Sequence, residues 1–234
     1  VPNSDYGKTS IKLAGTLKAS DKLKFEGSAN YINSGGKNPR TGVSSGTIYY
    51  LMRSTNTVDL RNYLNPDGSE KTYNASIQNP FYFTENAYLR DNVNRLIGNL
   101  GVEYKATDWL TFNYKAGLDH YTDFRQVYNE VGLLISPLGS MTEQRIRYNE
   151  INSNFFARAS KQFGDKWNVN FLLGHSFTHI NGTNLSLNGT QAVVPNVESI
   201  NNYNVYNPTT FPTKKNIIGV FGDLTVSYDN TVFM

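Results

Sequence analysis

The chain lacks cysteine, has little net charge and contains no long hydrophobic run. Without cysteine, a disulfide framework and any cysteine-ligated metal site are excluded. The 22 basic and 19 acidic side chains leave a net charge of +3, which does not indicate a nucleic-acid-binding protein. The longest apolar runs are only a few residues, far short of the roughly 18 that a transmembrane helix needs. Membrane β-barrels and soluble β-proteins stay open.

Aromatic residues make up 13% of the chain, which argues against intrinsic disorder. Apolar and polar residues alternate with period two in paired segments, which predicts antiparallel β-hairpins. The predicted pairs are 11–18 with 23–31, 95–105 with 110–118, and 148–163 with 169–177, followed by a seventh strand at 218–228. Short polar turns are expected near 20–22, 107–109, 164–166 and 229–230.

Longer polar stretches separate the hairpins and are expected to be loops. They span 33–93, 122–147 and 178–214. Structureless loops of such length are rare in compact soluble domains. Outer-membrane barrels, in contrast, alternate short periplasmic turns with long extracellular loops.

One short helix is expected in the first loop, near 45–54. Ile48, Leu51 and Met52 lie on one helical face there, after a possible N-cap at Ser44 or Ser45.

The length of the alternating segments favours a membrane barrel. From Trp109 to Tyr121, at about 3.3 Å per residue and a tilt of about 40°, the chain rises roughly 30 Å. This rise matches an apolar band of about 25 Å between aromatic girdles. We therefore predict an all-β fold: an antiparallel up-and-down meander of about seven to eight long strands that forms part of the wall of a large transmembrane β-barrel with long extracellular loops.

The alternation also predicts what each side of the sheet meets. The apolar residues expected to face lipid are Leu13, Leu17, Phe25, Leu100, Val102, Phe112, Leu118, Phe171, Leu173 and Val226. The charged residues expected to face the lumen are Lys24, Glu26, Arg95, Glu103, Lys105, Lys115 and Arg158.

Two clusters resemble catalytic or metal sites but do not fit a strand. His175 and His179 would lie about 13 Å apart on a strand, too far for a shared metal. Asp119 and His120 are adjacent and would point to opposite faces, and Asp123 follows where the strand is expected to end. We predict no catalytic residues, no metal and no cofactor, and therefore no enzyme.

Specific motifs carry a family resemblance. The segment 79–99 reads NPFYFTENAYLRDNVNRLIGN, and 100–119 reads LGVEYKATDWLTFNYKAGLD. An Asn-Pro-aromatic loop end, an Asn-Arg-x-x-Gly-Asn strand and an Asp-Trp-Leu turn in this order resemble the SusC/RagA family of TonB-dependent outer-membrane transporters. The segment 217–234 is similar to a later hairpin of that family, although Asp223 stands where a basic residue is more usual.

The resemblance implies a barrel of about 22 strands with an N-terminal plug. It implies uptake energised by the TonB complex through that plug, and a SusD-like surface lipoprotein that helps to capture oligosaccharides or peptides. Residues 1–234 would then be a partial barrel domain in the outer membrane of a Gram-negative bacterium, with the plug and the remaining strands elsewhere in a longer chain. Glycans are the first expected cargo. An outer-membrane barrel enzyme, a small structural barrel and a soluble β-sandwich binding domain are the alternatives.

Aromatic residues in the first predicted loop are candidate contacts for cargo or for the lipoprotein, because aromatic rings can stack on sugars. They are Tyr49, Tyr50, Phe81, Tyr82, Phe83 and Tyr88. Packing of the loop against itself is the alternative role for each ring.

Overall fold

The computed structural model describes residues 2–42 and 45–229, together with the backbone of 232–233. Its strands are β1 (Gly7–Lys18), β2 (Leu23–Pro39), β3 (Ala87–Lys105), β4 (Leu110–Leu133), β5 (Ser136–Phe163), β6 (Trp167–Ala192), β7 (Tyr203–Tyr228) and the short β8 (Val232–Phe233). Each strand pairs antiparallel with the next, in chain order, in a single sheet. The predicted all-β meander is therefore confirmed. Within the described residues the sheet is open, as a section of a barrel wall is.

Tight turns connect the strands at one edge of the sheet. The backbone N–H of Ala19 donates to the Leu23 carbonyl at 2.9 Å, and that of Ala106 donates to Leu110 at 3.0 Å. In the third turn, Gly164 has φ of +60°, a conformation that favours glycine. These turns were predicted correctly. The fourth begins at Asp229, and Asn230 lies outside the described residues.

The predicted loops at the opposite edge are wrong in extent. Strands β4 and β5 continue through most of 122–147 and meet at residues 134–135. Strands β6 and β7 continue through most of 178–214 and leave only 193–202 as a connection. Here both sides of each strand carry polar residues, so the amphipathic pattern is lost while the backbone ladder continues.

The first predicted loop, 33–93, is shortened to residues 40–86 because β2 and β3 also extend into it. This connection contains α1 (Thr47–Arg53) and α2 (Pro80–Asn86). Helix α1 confirms the predicted helix, but its N-cap is Gly46 and no side chain caps it. Ser45 is therefore not the cap, and Ser44 lies outside the described residues.

Helix α2 was not predicted, although its start carries recognisable signals. The Asn79 side chain accepts a hydrogen bond from the Phe81 N–H at 2.9 Å, and proline occupies the first turn. No helix in the described ranges is long and apolar enough to cross a membrane.

The strand register divides the sheet into two faces. Phe25, Val102 and Tyr114 are in register across β2, β3 and β4 and define the apolar face. Lys24, Glu103 and Asn113 are in register one residue away and define the polar face. Every residue expected to face lipid lies on the apolar face, and every charged residue expected in the lumen lies on the polar face.

Buried clusters occur where connections fold back over the sheet. The connection 40–86 covers the end of the polar face, where Tyr50, Ile77, Phe83, Ala87 and Leu133 form one cluster. The connection 193–202 lies at the same end of the apolar face, where Tyr88, Tyr128, Met141 and Tyr203 form the other. Neither connection covers the middle of the apolar face, so Leu13 and Val220 there are 72% and 77% exposed.

Candidate functional site on the polar face

The apolar face has a band that contains no Asp, Glu, Lys or Arg. On β4 it extends from Leu110 to His120, and the register carries it across the described strands to β1 and β7, except that on β7 it ends at Asn216, just below Lys214. From Leu110 to His120, at about 3.3 Å per residue and a tilt of about 40°, the rise is roughly 25 Å. The band thus has the height of the apolar girdle of an outer-membrane barrel.

The polar face carries charges of both signs at the height of this band. The Lys115 ammonium lies 3.7 Å from the Glu26 carboxylate. Gly101 lies beneath this pair. A Cβ at this position would lie 2.6 Å from Glu26 Cγ, so the position of the Glu26 side chain requires glycine here. Higher on the same face, the Arg95 guanidinium makes a forked ion pair with Asp119, four residues beyond Lys115 on β4, with Nε–Oδ1 at 2.8 Å.

This ion pair continues into hydrogen-bonded side chains on the next strands. The Arg95 guanidinium lies over the Tyr121 ring, 5.9 Å from its centroid, and this ring stacks on Tyr148 with centroids 5.1 Å apart. The Tyr148 hydroxyl donates to Glu150 at 2.5 Å, and Asn152 Nδ2 donates to the same carboxylate at 3.0 Å. Thr178 on β6 donates to Asn152 at 2.8 Å. The polar network, defined as these side chains with Arg95 and Asp119, therefore crosses from β3 to β6.

Sequence reasoning found only one member of this network, Arg95. The other members are spread over three further strands, and nothing in the local sequence pairs them. Their common position on the polar face follows from period two, but their contacts depend on the register between strands.

The clusters that resembled catalytic or metal sites are separated or occupied. Asp119 and His120 lie on opposite faces, and His120 Nδ1 is 2.5 Å from Asn149 Oδ1. Asp123 is 2.6 Å from the Arg125 guanidinium. His175 and His179 are four residues apart on β6. Among the described residues no group of three or more His, Asp or Glu side chains is arranged to hold a metal.

Buried hydrogen bonds hold the connection 40–86 against the end of the polar face. Gln78 is fully buried, and its side-chain oxygen accepts from the Leu134 N–H at 2.7 Å. Its amide donates to Glu70, which also accepts from the Asn79 N–H. Arg40 donates to Asn129 on β4. The connection is therefore tied to the sheet at several points.

The aromatic candidates of this region divide into buried and accessible rings. Tyr50 packs edge-on against the fully buried Phe83, with centroids 5.0 Å apart. Tyr88, on β3, is only 2% exposed, in the cluster on the apolar face. Tyr49, Phe81 and Tyr82 are partly exposed, and Phe81 stacks on Tyr63 at 6.1 Å. Three of the six candidate rings are therefore accessible.

Comparison with solved structures finds neighbours of the same fold. No protein-family model and no curated protein sequence matches the chain. The "RagAB peptide transporter" matches with a TM-score of 0.75 at 14% identity. The "open-open" and "closed-closed" states of the RagAB peptide importer match with TM-scores of 0.74 and 0.72, each at 15% identity.

Each match covers 98% of this chain but only 27% of the neighbour. The chain therefore spans about a quarter of the length of these transporter chains. At this level of identity the likeness shows a shared fold.

Proposed function

We propose that this chain is a section of the wall of an outer-membrane nutrient importer, with its apolar face toward lipid and its polar face toward the lumen. The observation that carries the proposal is the charge-free band, which is about 25 Å tall and limited to one face. A charged side chain at mid-membrane depth on the lipid side would destabilise the barrel. On the lumen side the same charges can meet water, a plug or cargo.

The alternatives lack this support. A soluble β-sandwich buries its inner face under a second sheet, and all described strands belong to a single sheet. A barrel enzyme needs its acid and base on one face, but Asp119 and His120 are on opposite faces.

The rest of the proposed importer lies in a longer chain and its partners. A plug domain inside the barrel would face the polar network and would link it to the TonB complex. A SusD-like lipoprotein would close the extracellular mouth. Polar side chains of both signs suit a large polar cargo, for which we propose oligosaccharides. Peptides are the cargo class named for the structural neighbours and are tested beside them.

Within the connection 40–86, the accessible aromatic rings are the proposed contact with the lipoprotein or the cargo. Phe81 and Tyr82 lie on α2, next to the buried Phe83 that anchors the helix. An accessible apolar cluster at the mouth of a barrel is a typical interaction surface. The buried rings of Tyr50 and Phe83 shape this surface from beneath.

The experiment replaces Phe81 and Tyr82 together by alanine in the natural full-length chain. The matched control replaces Val193 and Val194, which are exposed apolar residues of the other connection. Growth on limiting oligosaccharide or peptide and recovery of the co-purified lipoprotein are measured together, with heat-modifiable migration as the test of barrel assembly.

We expect the aromatic double variant to lose growth or lipoprotein recovery while the barrel still assembles, and the valine variant to behave as wild type. Normal growth and normal lipoprotein recovery in both variants would show that Phe81 and Tyr82 do not contact the lipoprotein or the cargo. A wild-type chain absent from the outer membrane would overturn the importer itself.

A further inference from the structure

Basic residues gather on the apolar face immediately above the charge-free band. Arg145, Arg147 and Lys214 are exposed there, and Lys37 and Arg90 flank them on β2 and β3. In the described ranges neither Arg145 nor Arg147 forms an ion pair. At the same height the polar face carries acidic and basic residues together, so the excess of positive charge belongs to one face.

The acidic groups at this end of the apolar face are already hydrogen-bonded. Glu143 accepts from Gln126 at 2.9 Å. Glu130 accepts from Tyr128 and from the Val131 N–H. Glu198 accepts from Tyr88 at 2.5 Å. Glu130 and Glu198 lie where the connection 193–202 meets the sheet. Glu143 is the same-face neighbour of Arg145 on β5, but it is hydrogen-bonded to Gln126 and forms no ion pair with Arg145.

A groove runs between these arginines. It has a volume of about 670 Å³ and is lined by Asn92, Asn94, Phe124, Arg145, Arg147 and Leu185, among others. The Arg145 guanidinium lies 5.7 Å above the Phe124 ring. Asp123 also borders the groove, but the register places its side chain on the polar face, where Arg125 binds it. The groove therefore combines cationic and amide donors with an apolar floor.

We infer that this groove binds the phosphorylated headgroup of a lipid in the outer leaflet. The inference rests on the proposed function, which turns the long connections outward and the apolar face toward lipid. Thr122 and Phe124 lie about 5–10 Å above the end of the band at His120, given about 2.5 Å of rise per tilted residue. This is the depth of lipid headgroups beside a hydrocarbon core of about 30 Å.

The chemistry of the groove suits a phosphate ester on a lipid. Arginine binds phosphate oxygens through two parallel N–H donors. The amides of Asn92 and Asn94 can donate to the remaining phosphate or sugar oxygens. Phe124 and Leu185 provide apolar contact for the first part of the acyl chains. A free phosphate ion would use the arginines but not this apolar floor.

The test uses the natural full-length chain purified in detergent and native mass spectrometry. The probes are phosphatidic acid and phosphatidylcholine with the same acyl chains. The variant R145Q/R147Q removes the two arginines of the groove. The matched control, R61Q/K71Q, removes two exposed positive charges from the connection 40–86, which lies over the polar face.

We expect R145Q/R147Q to weaken retention of phosphatidic acid about tenfold, since each basic residue near a lipid surface contributes roughly a fivefold factor before screening. The control and the phosphatidylcholine series should not change. Equal retention by wild type and R145Q/R147Q, or displacement of the lipid by millimolar inorganic phosphate, would overturn the inference. Heat-modifiable migration of the same samples distinguishes the two proposals. Wild-type protein that shows no such migration would contradict the proposed barrel. Wild-type protein that migrates normally but does not retain phosphatidic acid would contradict only the lipid-binding groove.

Discussion

The lower and upper parts of the strands differ in pattern but share one backbone ladder. Along β5, residues 148–163 alternate between apolar and polar, whereas 136–147 carry polar residues on both faces. Both parts pair with β4, and residues 140–163 also pair with β6. Alternation in the sequence therefore indicates that the two faces of a strand lie in different environments, as they do only in the lower part. It does not report whether the strand exists.

The largest expected effect separates the two faces at mid-band. Lysine in place of Leu100 should reduce the free energy of unfolding by about 2–4 kcal/mol, because the side chain would enter lipid at mid-membrane depth, and lysine at Phe112, near the lower end of the band, should reduce it less. Lysine at Asn99 or Asn113, one residue away on the polar face, should change it by less than about 0.5 kcal/mol. Urea unfolding from lipid vesicles measures all four variants. Equal losses on both faces would refute the assignment.

The same substitution can compare the two levels of the apolar face. Leu185 lies on that face above the charge-free band, opposite Arg145. Lysine at Leu185 should reduce the free energy of unfolding by no more than about 1 kcal/mol, as expected near the membrane interface. A loss as large as that at Leu100 would mean that the hydrocarbon extends above the band.

A smaller effect is expected in the polar network. Asp119→Asn leaves the Arg95 guanidinium without its carboxylate, and both side chains are partly exposed. After allowance for solvent screening, the loss should be about 1 kcal/mol. Asp21→Asn, which breaks the exposed pair with Lys18, is the control and should be neutral within experimental error. Thermal unfolding is measured at two salt concentrations. Equal losses of stability in the two variants would contradict the network.

Ionisation of tyrosine tests the buried cluster on the apolar face. Burial, followed by the nearby carboxylates of Glu130 and Glu198, raises the pKa of Tyr203 to about 12, against about 10 for an exposed tyrosine. The native state thus favours the neutral hydroxyl. Its contribution to stability is complete below about pH 10 and is lost as the pH rises to about 12. Absorbance at the tyrosinate band, compared between wild type and Tyr203→Phe, should show one ionisation missing near pH 12. A difference centred near pH 10 would contradict the burial.

An effect of similar size is expected at a turn. Gly164→Ala places a Cβ at a φ of +60° and should reduce the free energy of unfolding by about 1 kcal/mol. Gly15→Ala on β1 meets no atom within 4 Å and should be neutral or nearly so. Equal effects at both glycines in urea unfolding would argue against the tight turn at 164–166.

The sequence predicted the fold where local chemistry determines it. Alternation located each long strand within the charge-free band, and turn residues located the short turns at its lower end. It failed above the band, because polar residues on both faces of 122–133 and 136–147 look like loop composition. There the register with neighbouring strands, rather than composition, maintains the ladder.

The candidate site was predictable in part for the same reason. The charged residues of the polar face follow from period two along each strand. The contact between Tyr121 and Tyr148 depends on the β4–β5 register, which no local pattern specifies. The burial of Phe83 and Tyr50 depends on how α1 and α2 meet. Helix α2 itself was missed because Asn79 and Pro80 were interpreted as the end of a loop and not as an N-cap and first helical turn.

The most direct test of this account is a spin-label scan along β5, from Met141 to Phe163, in the natural chain reconstituted in bilayers. Residues 1–234 contain no cysteine, so a cysteine introduced for labelling is the only one in this segment. Oxygen accessibility should alternate with period two from about 151 to 159, with maxima at Ile151, Phe155 and Ala157, and the alternation should vanish above Arg147 while the labels stay ordered. Alternation that continues through 141–147, or mobile labels there, would contradict a strand that leaves the lipid but remains in the sheet.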